Sequence, residues 1–214
     1  MQPSALFQDD ISAIVLSAGQ GLRMGGVDKG LQMFKGKPLV QHMLERLGPQ
    51  VSHLMVNANR HLDLYRSFCD EVWADEEPGL GGPLAGFLVG LEKAKRPFLM
   101  TVPCDTPLIP LDLSERLYRA MSSTQADMAV VRSVDHSPKM SSQDDSPPLR
   151  AQPVLCMMRG HLAPRLRQFM TRGERKVSAW SREIHTVWVD YDQPNDEPKA
   201  FSNLNTLEDL HALE

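Results

Sequence analysis

Between Leu16 and Gly30 the chain reads LSAGQGLRMGGVDKG, five glycines and three charged side chains in fifteen residues, directly after the apolar run AIV. Backbone that bare can turn its N–H groups toward a ligand. Arg23 and Lys29, both within the eleven residues that start at Gly19, add two cations. Amide donors and cations converging on one place bind an anion with several charged oxygens, and a triphosphate fits the loop. A flexible surface loop with solvated cations is the other reading. Two familiar phosphate loops are excluded by the residues. A Walker loop needs Ser or Thr after Gly-Lys, and Gly36-Lys37 is followed by Pro38. The dinucleotide pattern GxGxxG starts with Gly19 and Gly21 but reaches Met24, and the second strand closes in Asn-Ala-Asn with no acidic residue.

Asp105, in VPCDTP, is the second chemical signal. It follows a strongly apolar run and lies between Pro103 and Pro107, which restrict the chain and fix the carboxylate at little entropic cost. If it faces the glycine loop, a hard cation such as Mg²⁺ could join its oxygen to a phosphate. A turn Asp capping the next helix is the alternative, although Thr106 or Asp112 could fill that role. Cys104 has no base beside it in sequence and reads as a packing residue. The seven histidines show no HExxH or HxxxH spacing. Arg172, Arg175 and Lys176 around GERKV read either as contacts to a second anionic substrate or as a solvated helix start. The twelve methionines read as core filler.

These groups need a scaffold. Apolar runs alternate with helical patterns, the rhythm of βα units. Strands are predicted at ISAIVLS (11–17), HLMVNAN (53–59), EVWA, FLMTV (98–102), ADMAVVR, QPVLCMM and HTVWVD. Helices are predicted from Pro38, with Leu39, Met43, Leu44 and Leu47 on one stripe and Gly48 as the stop, and at about 61–68, GPLAGFLVGLEKA, about 111–121, 161–170 and RKVSAWSRE. Thr206 with Asp209 resembles a capping box that opens a last helix. Residues 133–148 hold three prolines among five serines and read as a mobile excursion.

At 214 residues and 24.0 kDa the chain fits one large domain or two closely packed halves. The expected architecture is a three-layer α/β/α Rossmann-like fold with a mostly parallel sheet, its ligand site at the strands' carboxyl ends. A net charge of −4 argues against nucleic acid as partner. No apolar run reaches the ~20 residues that span a bilayer, and mean hydropathy is −0.31, so no membrane is expected. MQPSALFQDD lacks the features of a signal peptide, and three cysteines without a CxxC pair suggest reduced thiols, so the expected location is cytoplasmic.

Together LSAGQGLRMGGVDKGL, GKPL, VNANR, Asp75, GPLAG, PCDTPLIP, GERKV and NLNT resemble the nucleotidyltransferases of the GT-A-like fold, and within them the molybdenum cofactor guanylyltransferase family. The resemblance covers most of the chain apart from the proline-rich excursion, and it implies a single nucleotidyltransferase domain with a nucleotide-binding half at about 11–110 and an acceptor half at about 111–214. It implies that Leu16, Ser17, Ala18 and Gly19 lie against GTP, that Lys29 binds its phosphates, and that Asn57 and Asp75 recognise guanosine. It implies too that Asp105 contacts the nucleotide and holds Mg²⁺, while Arg23, Gly26, Gly82, Asn203 and Asn205 complete the reaction centre, Asn203 and Asn205 toward the acceptor. Asn57 has an independent rationale, since an amide at a strand end can donate and accept at a base edge or ribose, though a turn-forming Asn fits equally.

The implied reaction transfers GMP from GTP to the phosphate of molybdopterin or molybdenum-molybdopterin and releases pyrophosphate, with molybdoenzyme maturation proteins as further partners. Two departures stand out: LSAG where the family usually reads LAGG, and Gln152 where a histidine usually stands. Alternatives are a cytidylyltransferase or sugar-phosphate nucleotidyltransferase on the same loop and metal, or a nucleotide-binding delivery protein without turnover.

Overall fold

A computed structural model of the chain describes residues 7–19, 27–76, 82–134 and 148–204. In chain order, β1 (Ile11–Leu16) leads through the glycine loop to a short hairpin, β2 (Met33–Phe34) and β3 (Lys37–Pro38), and then to α1 (Leu39–Leu47). Next come β4 (His53–Asn57), α2 (Leu62–Arg66), β5 (Val72–Trp73), α3 (Pro83–Lys93) and β6 (Phe98–Pro103). The second half holds α4 (Leu113–Thr124), β7 (Met128–Val134), β8 (Leu149–Arg159), α5 (Ala163–Thr171), α6 (Val177–Glu183) and β9 (Thr186–Tyr191).

Seven strands form one sheet in the order β5-β4-β1-β6-β8-β7-β9. Only β8 runs against its neighbours among the described residues. Both faces are buried because the strands are apolar on both sides. Ile11, Ala13 and Val15 of β1 point to a layer with α1 and α4, whereas Ile14 points to one with α3, α5 and α6. This is the expected three-layer α/β/α arrangement with a mostly parallel sheet. The chain runs from β1 outward to β4 and β5, then returns through α3 to β6 on the other side of β1. That reversal opens a crevice at the carboxyl ends of β1 and β6, where such folds bind ligands.

Several predicted boundaries shift. Lys37-Pro38 pairs with Met33-Phe34 through a turn whose central residues, Lys35 and Gly36, both have positive φ (46° and 78°). This is the tight-hairpin conformation, so Pro38 ends a strand and precedes α1. The predicted stripe on α1 is buried, with Val40 added, but Gly48 keeps right-handed helical angles and the chain continues into a 3₁₀ turn to Gln50. The stop is at extended Val51.

At the supposed excursion, Ser133 and Val134 belong to β7 and pair with Arg150 and Leu149, so both arms of the β7–β8 pair reach further than predicted. Cross-strand hydrogen bonds outweigh the loop-like composition there. Residues 135–147 lie outside the described residues, as does the predicted helix from Thr206 onward. The methionines do fill the core: Met43, Met55, Met100, Met121, Met128, Met157, Met158 and Met170 are buried.

Candidate active site

Strand register sets the site. Leu16 pairs with Asn57 on one side and with Pro103 on the other, and Asn57 pairs with Trp73. The ends of β1, β4, β5 and β6 are therefore level, and the residues just beyond them share one edge of the sheet. Ser17, Ala18 and Gly19 follow β1, Asn59 and Arg60 follow β4, Asp75 follows β5, and Asp105 follows β6. Ser17 N–H donates to Asn57 O at 2.8 Å and Cys104 N–H to Leu16 O at 3.1 Å, so the sheet's bonding continues into the loops.

Lys29 and Asp105, 76 residues apart, meet with Nζ 2.5 Å from Oδ2. Their side chains are 22% and 16% exposed, so this pair is far less screened than a surface one. An ammonium carries three N–H donors, so Lys29 can keep this contact and still serve a phosphate. The other oxygen, Asp105 Oδ1, is buried without a hydrogen-bond partner.

Behind Lys29 its neighbour Asp28 is buried and accepts a 2.6 Å hydrogen bond from the hydroxyl of Tyr65, itself fully buried on α2. Burial, and then the Asp28 carboxylate, push the Tyr65 phenol far above its ordinary pKa, so it stays a donor. A Cβ on Gly30 would lie 2.4 Å from Tyr65 Oη and 2.9 Å from Ser17 Oγ. Only glycine lets the segment after Lys29 lie so close to the β1 loop. Neither Asp28 nor Tyr65 emerges from the sequence, because the pair spans 37 residues and Tyr65 reads as an ordinary helix residue. The DKG triplet was the available signal.

On the other flank Asp75 accepts from two amides, Asn57 Nδ2 at 2.9 Å and Asn59 Nδ2 at 2.8 Å. Asn57 is 1% exposed and also donates to Trp73 O at 3.2 Å. It is pressed against α3, since a Cβ on Gly86 would come within 2.6 Å of its Oδ1. Gly82, with φ 107°, caps the start of α3. Arg60 Nη2 reaches toward Gly19 O at 3.4 Å, a second basic residue at the crevice that the sequence reading missed.

Cys104 is buried, and that burial, with the Asp105 charge beside it, raises its thiol to about 12. It is a packing group, as predicted, and no nucleophile. Among the described residues no cluster of three or more His, Cys, Asp and Glu could cage a metal.

The C-terminal segment arrives from the far side of the sheet. Leu204 is buried against Phe34 and Leu39, and its N–H donates to Asp105 O at 2.9 Å, which brings Asn203 to the Asp105 loop. Arg116 fastens the preceding stretch, with its guanidinium 3.6 Å from the Tyr191 ring and 2.6 Å from Asp196. Gln152 hydrogen-bonds Ser133 at 3.0 Å. Arg172 pairs with Glu183 and Arg175 holds Met170 O, so both are engaged within the α5–α6 region. Arg23, Gly26 and Asn205 lie outside the described residues.

A sequence model of the MobA-like NTP transferase domain matches residues 13–187. The chain is similar to the molybdenum cofactor guanylyltransferase of Acidovorax ebreus (strain TPSY), 48% identical over 205 residues that cover 96% of this chain and 95% of that protein. It is also similar to that of Bordetella pertussis (strain Tohama I), 41% identical over 97% of this chain and 98% of that protein. Among solved structures, molybdopterin-guanine dinucleotide biosynthesis protein A from Archaeoglobus fulgidus superimposes with a TM-score of 0.72 at 21% identity, covering 95% of this chain and 96% of that one. The 2-C-methyl-D-erythritol 4-phosphate cytidylyltransferase from Thermus thermophilus shares the fold with a TM-score of 0.68 at 13% identity, covering 95% and 96% of the two chains.

Proposed function

The chain belongs to the MobA-like NTP transferase family; its activity is GMP transfer that forms molybdopterin guanine dinucleotide, and we propose that the crevice between Gly19, Lys29, Asp75 and Asp105 performs it on GTP. A terminal phosphate oxygen of molybdopterin, with or without molybdenum, attacks the α-phosphorus of GTP. The new P–O bond forms as the bond from the α-phosphorus to the bridging oxygen breaks, and pyrophosphate leaves with that electron pair. No covalent enzyme intermediate is needed. The protein's task is to align two anions and offset their repulsion, a matter of position and electrostatics.

Lys29 would neutralise charge on the departing pyrophosphate, with Arg23 in the same role. The backbone of Leu16, Ser17, Ala18 and Gly19, with Gly26 and Gly82, would lie against the nucleotide, and Asn57 with Asp75 would form the base pocket. Asn203 and Asn205 would face the acceptor, which assigns residues 11–110 to the nucleotide and 111–214 to molybdopterin. Asp105 fits a Mg²⁺ ligand because Oδ1 is buried and unpartnered, and a single carboxylate suffices for an ion that takes its other ligands from phosphates and water. Bound there, Mg²⁺ would supply charge neutralisation at the phosphates.

The contact between Lys29 and Asp105 carries this reading: it joins the glycine loop's cation to the one carboxylate beyond β6, at the end of the sheet where a triphosphate would bind. Thermal shift with GTP, CTP, UTP or ATP plus Mg²⁺ tests it. Saturation at 100 times Kd adds ~2.7 kcal/mol, or roughly 5–10 °C for a chain of this size. GTP is the expected stabiliser; stabilisation by CTP and not GTP would overturn the base assignment. Pyrophosphate release that requires molybdopterin separates an enzyme from a delivery protein.

A further inference from the structure

We propose that Asn59 sets the choice of base by holding the Asp75 carboxylate in one orientation, a role that rests on the reading of this crevice as a GTP site. Asn59 and Asp75 form a closed pair: Asn59 Nδ2 donates to Asp75 Oδ2 at 2.8 Å, and Asp75 N–H donates to Asn59 Oδ1 at 2.8 Å. Because a backbone N–H can only donate, Asn59 Oδ1 must face it, which fixes the amide's orientation chemically. Asn57 Nδ2 meets two pure acceptors, Trp73 O and Asp75 Oδ1, so its orientation is fixed as well.

Each Asp75 oxygen thus receives one amide hydrogen from a different asparagine, and the carboxylate plane cannot turn without breaking one of them. An ionised carboxylate oxygen has more than one acceptor direction, so both oxygens remain able to accept from a ligand. The edge such a fixed pair of acceptors matches is two parallel donors. Guanine offers that pair in its N1–H and exocyclic N2 amine, whereas adenine, cytosine and uracil present no two adjacent donors on one edge. Asn57 is buried with both amide hydrogens directed inward, so it acts on the base through Asp75. Asn59 is exposed and has no packing role of comparable weight. Asn59 is therefore a positioning residue, and its signature is discrimination between two-donor and one-donor bases.

Inosine triphosphate lacks the N2 amine and is otherwise GTP, which makes it the probe. The variants are Asn59→Ala and Asn59→Asp; the second keeps an acceptor for the Asp75 N–H and replaces the donor to Oδ2 with a carboxylate that repels it. Pyrophosphate release is measured with molybdopterin and either GTP or inosine triphosphate. Wild type is expected to prefer GTP by about tenfold or more in kcat/KM, the range of one well-made pair of base contacts. Both variants should lose most of that preference through a rise in KM for GTP, with the KM for molybdopterin unchanged. Equal falls for the two nucleotides, an unchanged preference, or a wild type that does not discriminate would overturn the proposal. If wild type turns over GTP with molybdopterin, the underlying reading stands whatever the variants do; if it does not, the role of Asn59 falls with it.

Discussion

Replacing Asp105 with Asn separates chemistry from folding at one atom. The carboxamide has the size of the carboxylate, and the backbone carbonyl that accepts from Leu204 N–H is untouched. What disappears is the negative charge 2.5 Å from Lys29 Nζ and the anionic character of Oδ1. Breaking a fully buried pair costs about 3–5 kcal/mol, and an exposed one about 0–1. With side chains 22% and 16% exposed, and a lysine stem able to bring its ammonium to water, the expected loss is between these ranges, about 1–2 kcal/mol. That lowers Tm by roughly 2–8 °C in a chain of this length. Against the typical 5–15 kcal/mol of a native domain, the variant stays folded at 25 °C.

Activity should respond far more steeply. Removing one preorganised charge-stabilising group costs about 10²–10³ in rate, and weakening the proposed Mg²⁺ seat at the same residue takes the expected fall in kcat/KM to about 10³ or beyond, which is ~4 kcal/mol of barrier. Pyrophosphate release is followed with GTP and molybdopterin across a Mg²⁺ titration, alongside thermal melting. A variant within tenfold of wild type, with the same Mg²⁺ dependence, would refute the role given to Asp105. A variant that melts below the assay temperature would refute the estimate of how weakly the pair contributes to folding.

Tyr65→Phe keeps the ring in its fully buried place but removes the donor to buried Asp28. An unsatisfied buried carboxylate oxygen costs about 1–3 kcal/mol, and because Lys29 is next in the chain the KM for GTP should rise as well; urea denaturation and steady-state kinetics check both, and an unchanged KM would detach Tyr65 from the site. At the opposite end of the sheet His53 Nδ1 meets Ser12 Oγ at 2.8 Å, and burial together with the nearby Lys95 and Arg96 cations lowers its pKa, with Glu71 acting the other way. The unfolded chain then takes up this proton first, so the stability His53 contributes is present above pH ~6.5 and is lost as pH falls from there toward the lower folded value. His53→Asn should flatten the loss of stability between pH 7 and 5, read from urea midpoints; curves parallel to wild type would show that His53 is not a source of it.

How much of this was legible follows from the range of the forces. β1, β4 and β6 announce themselves because each is built on a mostly apolar run, as a strand buried on both faces requires. Asp105 was legible for the same reason: it stands just past such a run with prolines on either side. Asp75 follows the short strand Val72–Trp73, which was legible, but a lone acidic residue after it carries no chemical signal of its own and enters through resemblance alone. The β2–β3 hairpin escaped because Lys35 takes a positive φ that a lysine seldom adopts. Asn59 looked like the end of a strand and Tyr65 like helix filler because their partners lie 16 and 37 residues away.

The short loop after β6 joins what the proposal assigns to two substrates. Its side-chain carboxylate meets Lys29, from the glycine loop, while its backbone carbonyl receives Leu204 N–H, from the segment that carries Asn203. That segment is not held by Leu204 alone. Arg116 stacks on Tyr191 and pairs with Asp196, Tyr191 packs edge-on against Phe201 at 4.7 Å, and Leu204 closes the path against Phe34 and Leu39. A chain of aromatic, guanidinium and aliphatic contacts therefore runs from α4 to the carbonyl of the same residue whose carboxylate faces the nucleotide side. In a reaction that must place an attacking phosphate oxygen in line with an α-phosphorus, a shared anchor of this kind fixes the separation of the two binding groups by covalent geometry, through the few bonds between a backbone oxygen and its own side chain.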